Sequence, residues 1–119
     1  MHFLRTMLLT SALALAADRQ SPLQQAPQKD ARLANPFDGQ DSAVRAGRKI
    51  FERECAGCHG SAAEGGRRAP ALASPAVRQA QPGEIFWVLR NGSLWNGMPS
   101  FSHLPEQQRW QIITYLKTL

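Results

Sequence analysis

The sequence predicts an all-α domain, and three observations carry that prediction. Two stretches, about 41–55 and 105–119, space their apolar residues as one face of a helix would. Between them, Ser74-Pro75 and Pro82-Gly83-Glu84 have the chemistry of helix starts. No run of useful length alternates apolar and polar residues in the manner of a strand, and no internal repeat appears. A chain of 119 residues holds one domain at most.

Part of that length lies outside the domain. Residues 1–17 place Arg5 ahead of an apolar run from Met7 to Ala17 that ends in Ala14-Leu15-Ala16-Ala17. This is the pattern of a secretory signal peptide with a small-residue cleavage site, and it implies export. The run is short for a membrane span, which takes ~20 residues, so the mature chain is expected to have none. Residues 18–35 are rich in Gln and Pro, without apolar periodicity, and read as a disordered linker. The domain is then expected over 36–119, opening with the turn Asn35-Pro36-Phe37-Asp38-Gly39.

Asp41 is the expected N-cap of the first long helix. Val44, Gly47, Ile50 and Phe51 form its apolar face, with Arg45, Arg48, Lys49, Glu52 and Arg53 opposite. A glycine inside a helix costs about 1 kcal/mol against alanine, so Gly47 asks for a packing reason. Gly60 to Pro70 reads as a loop. A short helix follows over 75–79, capped by Ser74. Another runs from Pro82 to about Asn91-Gly92 and carries Ile85, Phe86, Val88 and Leu89 as core or pocket wall. The last helix presents Trp110, Ile112, Ile113, Tyr115, Leu116 and Leu119 as a broad apolar face.

The chemistry is concentrated in Cys55-Ala56-Gly57-Cys58-His59. Cys-x-x-Cys-His is the attachment sequence for c-type haem. Two thiols three positions apart can each form a thioether to one edge of a porphyrin, and the adjacent imidazole can swing over the ring to bind iron. A zinc half-site is a poor alternative: a structural zinc needs four ligands, and adjacent Cys and His fit a tetrahedron badly. A thioredoxin-like pair needs a βαβ context, which is absent. A covalently held haem also answers a size problem. A mature domain this small has little apolar core of its own, and haem supplies a flat apolar surface. The haem-free chain is therefore expected to be mostly unfolded.

With the haem motif, the Gly47/Phe51 helix before it, the loop Asn96-Gly97-Met98-Pro99-Ser100-Phe101 and the closing Ile112-Ile113-Thr114-Tyr115-Leu116-Lys117, the chain resembles a class I cytochrome c of the small bacterial kind. The resemblance runs from about Asp41 to Leu119. It implies the cytochrome c fold, about four short helices around one haem c bound through Cys55 and Cys58. It implies that Gly47 lets the first and last helices cross closely, Ile112 and Tyr115 meeting the Gly47/Phe51 face. It implies His59 and Met98 as axial iron ligands, a pairing that raises haem potential and suits electron transfer. Pro70 would accept the second ring N–H of His59, and Leu72 would pack on the haem. His103 competes with Met98 for the sixth position and would give bis-His iron. Its other reading is a solvated loop histidine.

The implied function is a periplasmic carrier of single electrons between redox partners such as a dehydrogenase and a terminal oxidase, with no catalytic residues of its own. The Phe86-Trp87 helix, the Met98 loop and the Trp110 helix are similar to small cytochromes associated with periplasmic quinoprotein dehydrogenases. Fourteen Lys and Arg against nine Asp and Glu give +5, which suits partners with acidic docking surfaces. Scattered single charges and export argue against nucleic acid. Two other functions fit the same motif. If Met98 leaves iron free, a five-coordinate haem would serve a gas sensor or weak peroxidase. With an uncleaved leader or a permanent interface, the chain would be a tethered haem subunit of an oxidoreductase complex.

Overall fold

The computed structural model describes residues 21–119. The expected signal peptide, and the first residues of the expected linker, lie outside them. Among the described residues six helices form: α1 (Gln28–Ala31), α2 (Asp41–Glu54), α3 (Ala56–His59), α4 (Pro75–Gln79), α5 (Pro82–Asn91) and α6 (Glu106–Leu116), with 3-10 turns at Pro22–Gln25 and Leu94–Asn96. Among the described residues there is no strand, and Ser93 and Met98 form an isolated bridge. None of the described helices is long and apolar enough to cross a membrane.

The organising contact is α2 against α6. Gly47 makes it: a Cβ there would run into the Gln111 carbonyl and reach within 3.0 Å of the Tyr115 Cβ. The backbones therefore approach more closely than any larger residue permits. One turn on, Phe51 meets Tyr115 with ring centroids 5.4 Å apart and tilted by 54°. Phe51 and Ile113 are both 0% exposed. The buried stripe of α2 is Ala43, Gly47, Ile50 and Phe51, so Ala43 takes the inward place expected of Val44, which is half-buried. At about 100° per residue these four span one broad arc of α2, and Val44, seven residues before Phe51, lies just past its Phe51 edge. The N-cap is Gln40 rather than Asp41. Asp41 instead lies in the first turn, where its charge favours the helix dipole.

The middle helices begin as their sequence dictates. The Ser74 hydroxyl accepts from Val77 N at 3.3 Å and Pro75 opens α4. Glu84 reaches back to accept from Gln81 N at 2.8 Å at the head of α5. The Phe86 and Trp110 rings stack at 4.0 Å and 11°, joining α5 to α6. The Arg109 guanidinium lies 4.7 Å from the other contact of this stack, the Phe86 ring centroid, and Arg109 Nε donates to Leu104 O at 3.3 Å. Lys117 closes the far end of α4. Its Nζ donates to Val77 O at 2.9 Å, to Arg78 O at 3.0 Å and to Ala80 O, using all three ammonium protons on carbonyls a helix end leaves unmatched. Burial pulls this lysine below its ordinary pKa, while the Glu84 and Asp38 carboxylates pull it back.

The described part of the expected linker is ordered instead. Its 3-10 turn and α1 pack on α5, Leu23 rests on the core, and Asp30 pairs with Arg90 at 3.5 Å. Asn35 is buried and donates from Nδ2 to Thr114 Oγ1 at 2.9 Å, across 79 residues of sequence. A count of Gln and Pro misses this, because one leucine, one ion pair and one buried amide do the anchoring, and Pro22 serves as a helix start rather than a breaker.

Candidate functional site

The attachment motif sits where α2 gives way to α3. Cys55 closes α2, its N–H donating to Phe51 O at 2.8 Å, and its carbonyl accepts from Cys58 N and His59 N at 3.2 and 3.0 Å. This single tight turn places Cys58 and the imidazole on the four-residue helix α3, with Cys55 as its N-cap, anchored by the buried Phe51. Both cysteines are free thiols, Cys55 buried and Cys58 exposed. Burial, then the neighbouring Glu54 and Cys58, push the Cys55 thiol up to about 11.

After His59 the chain folds back on itself around Ala63. Gly65 N donates to His59 O at 2.7 Å, while Leu72 N and Ala73 N both donate to Ala63 O, at 2.9 and 3.1 Å. Ala63 is fully buried and holds φ at +56°, a left-handed backbone that costs a non-glycine residue about 1 kcal/mol. The returning strand of this loop delivers the Pro70 carbonyl to 2.8 Å from His59 Nδ1. A carbonyl only accepts, so Nδ1 carries the proton and Nε2 keeps its lone pair for a metal. Leu72 follows and packs against the core cluster that includes Cys55.

Met98 arrives from the other end of α5. Ser93 N donates to Met98 O at 2.9 Å and Met98 N to Ser93 O at 3.0 Å. The four residues between close as a 3-10 turn ending on left-handed Gly97, a hairpin geometry that Asn96-Gly97 favours. Met98 is half-buried and packs against the same core cluster as Leu72. His103 is exposed, its ring 5.9 Å from that of Phe101. Among the described residues no group of three His, Cys, Asp or Glu side chains is placed to hold a metal ion between them.

The six residues singled out in the sequence thus fall into two sets. Cys55, Cys58, His59, Pro70 and Leu72 form one continuous bonded unit, and Met98 meets it through the shared core. Sequence reasoning missed the two residues that build these loops, Ala63 and Ser93. Nothing in the sequence marks Ala63. The Asn96-Gly97 turn signal pointed toward Ser93, since a turn there must be closed by the residues flanking it.

The donor set fits covalent haem. Two unpaired thiols flank one helical turn, and the adjacent imidazole has its outer nitrogen fixed by a carbonyl and its inner nitrogen free. Helical layout, attachment motif and oriented histidine define a class I c-type cytochrome carrying one haem c through Cys55 and Cys58. The chain belongs to the family described as cytochrome c oxidase, cbb3-type, subunit III, whose sequence model matches residues 42–116. Solved structures agree. Cytochrome CL from the marine methylotrophic bacterium Methylophaga aminisulfidivorans MPT is similar at 25% identity with a TM-score of 0.61, over 70% of this chain and 57% of that one. The c-type cytochrome XoxG from Methylobacterium extorquens AM1 is similar at 25% identity with a TM-score of 0.57, over 64% of this chain and 49% of that one. The chain therefore spans about half the length of the solved structures it resembles. No curated protein matches the sequence.

Proposed function

We propose that this chain is an exported single-electron carrier whose iron is held between His59 and Met98. The observation that carries the reading is the His59–Pro70 bond of 2.8 Å, which puts the proton of the neutral ring on Nδ1 and turns Nε2 away from that carbonyl, joined to a methionine loop already closed by the Ser93–Met98 pair. Bound haem supplies a one-electron ferric/ferrous couple. The residues of the chain do the rest. The Pro70 carbonyl keeps the imidazole in one tautomer and makes it a better donor. Met98 would hold the iron from the second loop, and a haem held by both His59 and Met98 would offer no open coordination site to a substrate. Cys55, Leu72 and the α5 wall keep water from the buried side, while exposed Cys58 marks the edge through which electrons would pass.

The partners proposed are redox proteins with acidic docking faces. A chain of net charge +5 would attract them, weakly and with a rate that falls as salt rises. A periplasmic location is proposed from the leader pattern of residues 1–17.

The test is the optical spectrum of the haem-loaded protein, oxidised and reduced. A weak ferric band near the red end of the spectrum, lost in Met98→Ala, is the expected result. If the band is absent and carbon monoxide binds readily to the reduced wild-type protein, the site is open and the shuttle reading fails in favour of a sensor or catalyst.

A further inference from the structure

The Met98 loop is fastened to the helix before it by a device that involves no haem. Two hydrogen bonds tie the loop to α5: Phe101 N donates to Leu89 O at 2.7 Å, and the Ser100 hydroxyl donates to Arg90 O. Both acceptors are last-turn carbonyls that a helix leaves without internal partners. The loop thus caps the helix, and the helix positions the loop. Ser100 is two residues past Met98 and is the side-chain half of this tie. Its neighbours offer no substitute, since Pro99 has no N–H and the Met98 N–H is committed to Ser93 O. The hydroxyl is also held from behind. Ser102 N donates to it at 3.2 Å, and the Ser102 hydroxyl lies at 3.1 Å. Ser100 has one proton, which Arg90 O takes, so the Ser102 hydroxyl is the donor to Ser100.

We infer that Ser100 is a positioning residue for Met98: its bond to the Arg90 carbonyl keeps the sulfur seated and shields iron from small external ligands. The inference rests on the His/Met reading above. Iron–thioether bonds are weak, so the fraction of molecules with Met98 displaced depends on what else holds the loop. An external ligand binds with an affinity reduced by the fraction of sites that are open. Losing one net hydrogen bond should raise that fraction about fivefold.

The experiment titrates the ferric, haem-loaded protein with imidazole, in wild type, Ser100→Ala, Ser100→Thr and Thr114→Val, with denaturation midpoints for each. Thr114→Val is a control far from the loop, because it cuts the buried Asn35–Thr114 bond. The expected result has four parts. Ser100→Ala retains the red ferric band. It binds imidazole about fivefold more tightly than wild type. Ser100→Thr, which keeps the hydroxyl, returns to the wild-type affinity. Thr114→Val lowers the denaturation midpoint without tightening imidazole binding. Equal affinity in Ser100→Ala and wild type overturns the inference. So does tightening that simply follows lost stability in both Ser100→Ala and Thr114→Val. If the wild-type ferric protein lacks the red band, the His/Met reading itself has failed and the inference falls with it; the band separates the two failures.

Discussion

The loop that follows His59 and the loop that carries Met98 are built in opposite ways. The first, residues 60–73, is stapled to itself by backbone bonds that converge on the buried carbonyl of Ala63, and it is continuous with the motif helix α3. The second, residues 92–101, is closed by one pair of backbone bonds, leans on the end of α5, and raises an exposed tip at Leu94 and Trp95. One side of the site is thus set by the interior, the other by a surface clasp. Exchange of an iron ligand should therefore begin on the Met98 side, because fewer buried contacts must break there.

The largest test removes what both loops share. Without haem, neither has a flat apolar surface to close on, and the α2–α6 seam alone must hold the domain. Cys55→Ala/Cys58→Ala, produced without covalent haem, should lose most of its far-UV helical signal and show no cooperative thermal transition. A cooperative transition in that variant would mean the helices are self-sufficient, and the contrast between the loops would then be a property of the protein alone.

Two glycines separate the loops more finely. Gly65 sits at φ +76°, with the Pro70 and Ala71 backbone where a Cβ would go. Gly65→Ala should cost about 2–3 kcal/mol in chemical denaturation, since the carbonyl that orients His59 must shift with it. Gly92, at φ +70°, faces Met98 O, Pro99 C and Ser100 N at 2.7–2.8 Å from an added Cβ. Gly92→Ala should cost less, about 1–2 kcal/mol, while weakening the red ferric band and admitting carbon monoxide to the reduced protein. If Gly65→Ala admits carbon monoxide and Gly92→Ala does not, the proposed order of loosening is reversed.

How much of this the sequence disclosed follows from the kind of bond involved. The apolar faces of α2 and α6 were legible because helical period encodes them, and the resemblance to class I cytochromes c is what paired Gly47 and Phe51 with Ile112 and Tyr115. The haem motif was legible because its chemistry needs those residue types at that spacing. The Ala63 hub was not, since it uses backbone groups that every residue carries. The strap over 21–35 was hidden for a related reason. Asn35 and Thr114 look like ordinary polar residues until folding brings them together across 79 positions. Val44 stands at the half-buried edge of the expected face, and Ala43, which size alone does not mark as core, is the buried residue that the reading left out.

The smallest expected effect lies at the tip of the Met98 loop, and it sharpens the contrast most. Trp95 is 102% exposed and Leu94 76% exposed, so neither side chain contributes appreciable burial to the fold. The loop geometry beneath them rests on Ser93, on Asn96, whose Nδ2 donates to Ser93 Oγ at 2.7 Å, and on Gly97. Trp95→Ser should accordingly move the denaturation midpoint by no more than about 0.5 kcal/mol in stability and leave the ferric spectrum unchanged. A larger loss would show that Trp95 folds inward onto the haem once it is attached. The Met98 side would then have an interior anchor of its own, and the difference between the two loops would narrow in the loaded protein.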